Sequence, residues 1–193
     1  TGEQTLVLQP GIYQSIEITG GKVRFMPGIY ALAASREQPY SLRVLAGDVE
    51  AQGVMFYNTR DDYDPVSGFP DAIDGNRLPD AEGEDYGKIR INATLGFTAI
   101  DTLRYDYGEA SSGVAAFNGI LIYQRRRNNA TIQIQGFTQD RTLSGAIYAK
   151  WAELKMPAGG TINSQIIVGR FSVPGHGDLL VRHDTNDLAQ QLN

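Results

Sequence analysis

A succession of short apolar stretches, each about one β-strand long and closed by glycine, proline or asparagine, constrains this chain most. They are Gln14–Thr19 (QSIEIT), Lys22–Met26 (KVRFM), Ser41–Leu45 (SLRVL), Val54–Tyr57 (VMFY), Lys88–Ile91 (KIRI), Gly119–Tyr123 (GILIY), Ala130–Gln135 (ATIQIQ), Ala146–Tyr148 (AIY), Glu153–Met156 (ELKM) and Gln165–Val168 (QIIV). Alternation, or β-branched and aromatic enrichment over so short a span, is the pattern of a strand, and the residues between are turn formers. Helix signals are scarce. The best is Thr185–Leu192 (TNDLAQQL), with Thr185 or Asn186 as its N-cap.

Many short strands suit a sandwich, a barrel or a solenoid, and internal similarity favours the solenoid. Pro-Gly-Ile-Tyr occurs at 10–13 and again at 27–30, a step of 17. A small residue or glycine, an apolar run and a tyrosine recur at Gly53–Tyr57, Gly119–Tyr123 and Gly145–Tyr148, with a weaker copy at Gln165–Gly169. On this reading Tyr13, Tyr30, Tyr57, Tyr123 and Tyr148 hold equivalent positions, and Asn58, Asn92, Asn118 and Asn128 mark corners. The fold class expected is all-β: a right-handed parallel β-helix in which like side chains stack coil upon coil, with a β-sandwich as the alternative. Residues 1–193 are expected to form a single domain carrying two long loop insertions, at about 59–87 and 101–117.

Charge narrows the partners. The net charge is −5, and residues 61–85 alone carry seven Asp and two Glu against one Arg, so the rest of the chain is net basic. That balance argues against a general nucleic-acid binder. No apolar run approaches the roughly 20 residues that span a bilayer. The start, Thr1–Gln4, has no signal-peptide character; in an exported protein the signal would lie upstream or have been removed. With no cysteine, disulfides and thiolate metal sites are excluded.

The runs LQPGIYQSIEITGGKVRFMPGIYAL, VEAQGVMFYNT, FNGILIYQRRRNNATIQIQG and RTLSGAIYAKWAELKM, in that order over roughly residues 6–170, resemble the C-terminal region of bacterial TadE/TadG-like pilus-assembly proteins and related surface proteins, notably of planctomycetes. The resemblance implies an extracellular or cell-envelope right-handed β-helix linked to pili or adhesion, and no defined reaction. Surface glycans or other envelope and pilus proteins are the partners it implies. The long acidic insertion departs from relatives with a short Gly/Ser loop there.

Several residues invite a chemical reading, each beside a plainer one. Asp61, Asp62, Asp64, Asp71 and Asp74 offer hard oxygen ligands, which makes calcium the candidate ion; the plainer reading is a solvated acidic loop, and the EF-hand spacing is missing. Arg125, Arg126 and Arg127 could bind acidic glycans or phosphate, Arg125 and Arg127 being the candidates on one face of a strand. The plainer and favoured reading is a corner whose arginines bond to carbonyls or to the acidic segment. Tyr105, Tyr107 and Trp151 are the aromatics left as candidates for glycan stacking. A glycan-active enzyme is the alternative function: Asp101 with Asp106, or Asp140 with Glu153, would supply paired carboxylates, with no motif to choose between them. His176 and His183 lack zincin spacing, and no nucleophile elbow, P-loop or dinucleotide fingerprint is present.

Overall fold

The computed structural model describes residues 4–66, 86–92, 94–135, 143–158, 160–176 and 178–182. Their strands form two sheets. The first has seven, in the spatial order β1 (Thr5–Leu8), β4 (Lys22–Phe25), β7 (Asp48–Ala51), β10 (Thr94–Thr98), β13 (Leu143–Ser144), β15 (Gly160–Asn163) and β17 (Leu179–Arg182). The second has ten. Nine follow the path β2 (Gly11–Tyr13), β5 (Gly28–Ala34), β8 (Val54–Arg60), β11 (Ile120–Gln124), β14 (Ala146–Lys155), β12 (Ile132–Gln135), β9 (Lys88–Asn92), β6 (Tyr40–Val44) and β3 (Ile16–Ile18), and β16 (Ile166–Ser172) pairs with β14 off that path.

These pairings correct the expected fold class. The right-handed β-helix solenoid is not what the strands show; they show two parallel sheets, the larger an almost closed barrel of nine strands. The reason lies in β14. Its start pairs with β11 and its end with β12, so what looked in the sequence like two strands, Ala146–Tyr148 and Glu153–Met156, fuses two sets of strands into one sheet. The nine-strand path begins on β2 and returns to β3, its near neighbour in sequence. The β-sandwich alternative fails too, because the paired strands are parallel rather than antiparallel.

Parallel pairing in register places like side chains one above another, about 4.8 Å apart. Leu8, Phe25, Ala51, Phe97 and Leu143 are successive partners across the first sheet. Gly11, Tyr30, Phe56, Ile122 and Ile147 succeed one another in the second, as do Ile16, Leu42, Ile89, Ile132 and Leu154 further round. The inward members form one continuous apolar core. Aromatic rings lock its centre: Phe25 meets Tyr30 edge-on at 5.1 Å and Phe56 at 5.4 Å, and Phe56 meets Phe97 at 5.9 Å. Edge-to-face geometry suits the ring quadrupoles. The buried Tyr30 hydroxyl lies 2.8 Å from both the Leu8 and the Met26 carbonyls.

The tyrosine equivalence needs a correction as well. Tyr57, Tyr123 and Tyr148 do pair in register with their rings in contact, Tyr123 stacked on Tyr148 at 5.1 Å and Tyr57 tilted against Tyr123 at 5.8 Å. Tyr30 lies one residue out of that set: its partner is Phe56, and it points into the core. Tyr13 pairs with Leu32. The repeated Pro-Gly-Ile-Tyr is therefore not one structural repeat, since Gly11 lies opposite Tyr30 rather than Gly28. Thr5 pairs with Lys22 at the 17-residue step, and the chain slips by two residues between the sheets before Gly11 pairs.

Residues 101–117 pack onto the outside of the second sheet. They include the short helix α1 (Ser111–Val114), whose Val114 joins Met55 and Ile100 in a second apolar cluster, against Tyr107, Phe117, Tyr57 and Tyr123. The acidic stretch 67–85 and the expected helix at Thr185–Leu192 lie outside the described residues.

Truncating Phe56, fully buried between Phe25 and Phe97, should cost about 3–5 kcal/mol. Urea unfolding of Phe56→Ala measures it; a loss under about 1 kcal/mol would contradict this account of the core.

Candidate functional site

The best-formed polar constellation sits where β8 and β11 end. In-register pairing places Asn58 against Gln124. Beyond Gln124 the chain reverses: the Asn128 amide donates to the Arg125 carbonyl at 3.1 Å, and Arg127 takes a left-handed φ of 59°. Few side chains other than glycine adopt that conformation. The reversal aims Asn128 back at the strand ends, and a buried amide network results. Asn58 Nδ2 donates to the Gly87 carbonyl at 3.0 Å and to Gln124 Oε1 at 3.3 Å. Gln124 Nε2 donates to the carbonyls of Asn128 and Ala130, at 3.0 and 2.9 Å. Asn128 Oδ1 accepts from the Ala130 amide at 2.9 Å. Such bonds offset the cost of burying amides, and among the described residues Asn58 Oδ1 is the atom of this network left without a partner.

Arg125 follows this network and is only 4% exposed. Its Nη1 donates to Asp62 Oδ1 at 2.7 Å, and Arg60 Nη2 donates to the other oxygen of the same carboxylate. Both guanidinium groups lie over the Tyr86 ring, Arg125 at 5.7 Å and Arg60 at 6.0 Å from its centroid. Burial alone would push the Asp62 carboxyl up, but the hydrogen bonds and charges of Arg125 and Arg60 together outweigh it and hold it below the ordinary range. Asp62 is thus a fixed anion at neutral pH, unsuited to carrying protons.

The structure brings Arg125 and Asp62 together and separates most of the other candidates. Arg126 is exposed, and Arg127 is half-buried in the turn. Asp61 is exposed, while Asp64 Oδ1 accepts from the Val66 amide at 2.9 Å, a local turn contact. Asp71, Asp74, Asp140 and His183 lie outside the described residues, and His176 is exposed. Among the described residues no three His, Asp or Glu side chains converge as a metal site.

Tyr105 and Tyr107 are built into the 101–117 segment. The Tyr107 hydroxyl donates to the Gly53 carbonyl at 2.9 Å and accepts from the Asp101 amide at 3.0 Å, and burial pushes its pKa up. The Tyr105 hydroxyl lies 3.3 Å from that of Thr98. Gly53 makes this packing possible: it has φ of 67°, and a Cβ there would lie 2.6 Å from Tyr105 Cδ2 and 2.9 Å from the Tyr107 hydroxyl. Asp101 and Asp106 accept backbone amides of their own loop, from Leu103 and Gly108. Glu153 is occupied by Ser172 Oγ at 2.6 Å and Lys155 Nζ at 3.1 Å, and that hydroxyl bond leads the contacts that lower its pKa. Trp151 is the candidate left on the surface, 40% exposed with Lys150 Nζ 5.1 Å from its ring centroid.

No family model, curated protein or solved structure matches this chain. No helix among the described residues is long and apolar enough to cross a membrane.

Arg60 and Tyr86 escaped the sequence reading. Arg60 stands alone beside the acidic run, and Tyr86 carries no repeat signal; only the meeting of β8 with the Arg125 turn joins them.

Two predictions follow from this geometry. Asp62→Asn removes two charge-assisted bonds and should cost about 1–3 kcal/mol at neutral pH. Because the folded pKa of Asp62 is depressed, the stabilisation is complete above its unfolded pKa and disappears as pH falls through the lower folded value. The gap between native and variant unfolding midpoints should therefore close on acidification below pH 4; a gap constant with pH would refute the ion-pair assignment. Gly53→Ala should destabilise by about 1–3 kcal/mol and speed amide exchange across 101–118, whereas Gly108→Ala, with φ of 57° and no atom within 4 Å, should cost about 1 kcal/mol from backbone strain alone. Equal effects of the two would show that Tyr105 and Tyr107 do not pack on Gly53.

Proposed function

We propose that this chain is a non-catalytic structural or adhesive domain of a bacterial cell-surface or pilus-associated protein, working outside the cell or in its envelope. The observation that carries the reading is the closure of Arg125 onto Asp62: the basic group best placed for an anionic substrate is 4% exposed and ion-paired within the fold. Tyr105, Tyr107, Asp101 and Glu153 are likewise occupied by internal contacts. Two parallel sheets closed around one continuous apolar core suit a spacer or display element. The sequence runs that resemble the TadE/TadG-like surface proteins support the same reading.

Contact with glycans or with other envelope proteins would use the outer surface, where Trp151 stands exposed beside Lys150. An aromatic face with a cation beside it is suited to stacking on sugar rings and holding acidic ones.

A glycan array probed with and without calcium, followed by incubation of any retained polysaccharide, tests the proposal. Retention without cleavage, weakened in Trp151→Ala, is the expected result. Turnover of a polysaccharide would overturn the non-catalytic reading, and retention unchanged in Trp151→Ala would remove Trp151 from the contact surface.

A further inference from the structure

We propose that copies of this chain join head to tail, with β17 of one pairing in parallel with β1 of the next. The two strands occupy opposite edges of the first sheet, and among the described residues each has a strand partner on one flank and none on the other. Such an edge is a template for another strand. What singles out a second copy as the occupant is the match between the two edges in register and in chemistry.

Register comes first. Leu6, Val7 and Leu8 pair with Val23, Arg24 and Phe25, and those with Val49, Glu50 and Ala51. At the other edge Thr161, Ile162 and Asn163 pair with Leu180, Val181 and Arg182, and Ser144 with Asn163. Since Phe97 pairs with Leu143 and Ser144 follows it, Val181 continues the same inward row as Leu8, Phe25, Ala51, Phe97 and Leu143. Leu180 therefore continues the row of Val7, and Leu179 the row of Leu6.

The inward row shows where cover is missing. Phe25, Ala51, Phe97, Leu143 and Ile162 are each at most 2% exposed, whereas Val181, next in line, is 42% exposed. Leu6 is 57% exposed, although Val23 and Val49 beside it are buried. One further rung at each edge would cover these side chains.

The outward row carries the second, independent sign. Between the edges it is polar or small: Arg24 and Glu50 form an ion pair at 2.8 Å, and Gly96 follows. Only its terminal members are large and apolar, Val7 and Leu180, each 46% exposed. An outward apolar residue at both ends of one row, and not between them, suits a contact of Leu180 with Val7 across a junction. The flanking residues fit as well: Asp178 would face Thr5 and Arg182 would face Gln9, so no like charges meet. Each copy would use a different edge, so the contact is heterologous and repeats into rods rather than closing on a pair.

Sedimentation velocity and light scattering over a wide concentration series test this on the chain and on two variants, Val7→Lys and Leu180→Lys. The native chain should give species of two or more copies that grow with concentration. Each variant alone should remain a single copy, since one edge of every junction is blocked. An equimolar mixture should yield a 1:1 dimer and nothing larger, because Val7→Lys keeps a good β17 edge and Leu180→Lys a good β1 edge. Circular dichroism confirms that both variants fold; should either lysine prevent folding, Val7→Thr and Leu180→Thr replace them and should weaken assembly at least tenfold. A native chain that stays single throughout, assembly that survives both substitutions, or variants that mix without dimerising would each overturn the proposal.

Discussion

In-register pairing of parallel strands is the constraint on which everything else in this protein rests. It converts a chain of short, individually weak strands into rows of like residues and satisfies backbone groups between neighbours. The inward rows become a continuous apolar core. Phe25, Tyr30, Phe56 and Phe97 occupy its centre because three neighbouring strands of the first sheet and two of the second deliver aromatic or small residues to facing inward rows. The outward rows become regular as well, hence the row of Tyr57, Tyr123 and Tyr148 rings in mutual contact. The same regularity leaves residues at the edges of the first sheet uncovered, since a row has no natural last member.

Polar chemistry appears where the rows stop. Asn58 and Gln124 occupy a row whose earlier member is Leu32, and there the interior changes from apolar to amide. The change needs partners, and the turn at Arg125–Asn128 supplies them. Arg125 comes into the interior with it and needs a counter-charge, which Asp62 provides from the first residues of the acidic segment. A buried guanidinium with this many ties acts as a fastening. That is why the site reads as part of the scaffold and why the surface candidates reduce to Trp151 and its surroundings.

Much of this was legible in the residues. Every stretch picked out as a strand overlaps one, most with ends displaced by one or two residues, because alternation such as QSIEIT and KIRI reports burial on one face. The first sheet was harder to read. Apart from Lys22–Phe25 its strands were missed: they are two to five residues long and include Asp48, Glu50 and Gly96, which break any apolar pattern. The near-repeat of Pro-Gly-Ile-Tyr misled for a related reason, since identical tetrapeptides do not report a two-residue slip between sheets. Of the site, the arginine corner and its possible tie to the acidic segment were visible; Arg60 and Tyr86 were not, because their contacts join residues far apart in the chain.

The sequence by itself determined that this chain is built of short strands, that turn residues separate them, and that its negative charge is gathered in one segment. These are local properties, set by periodicity and composition. Tertiary structure alone decided which strands neighbour one another, that the long strand Ala146–Lys155 joins two sets into a single sheet, and which of three consecutive arginines is buried. Pairing between strands tens of residues apart depends on the packing of all of them at once, and no short window of sequence contains that information.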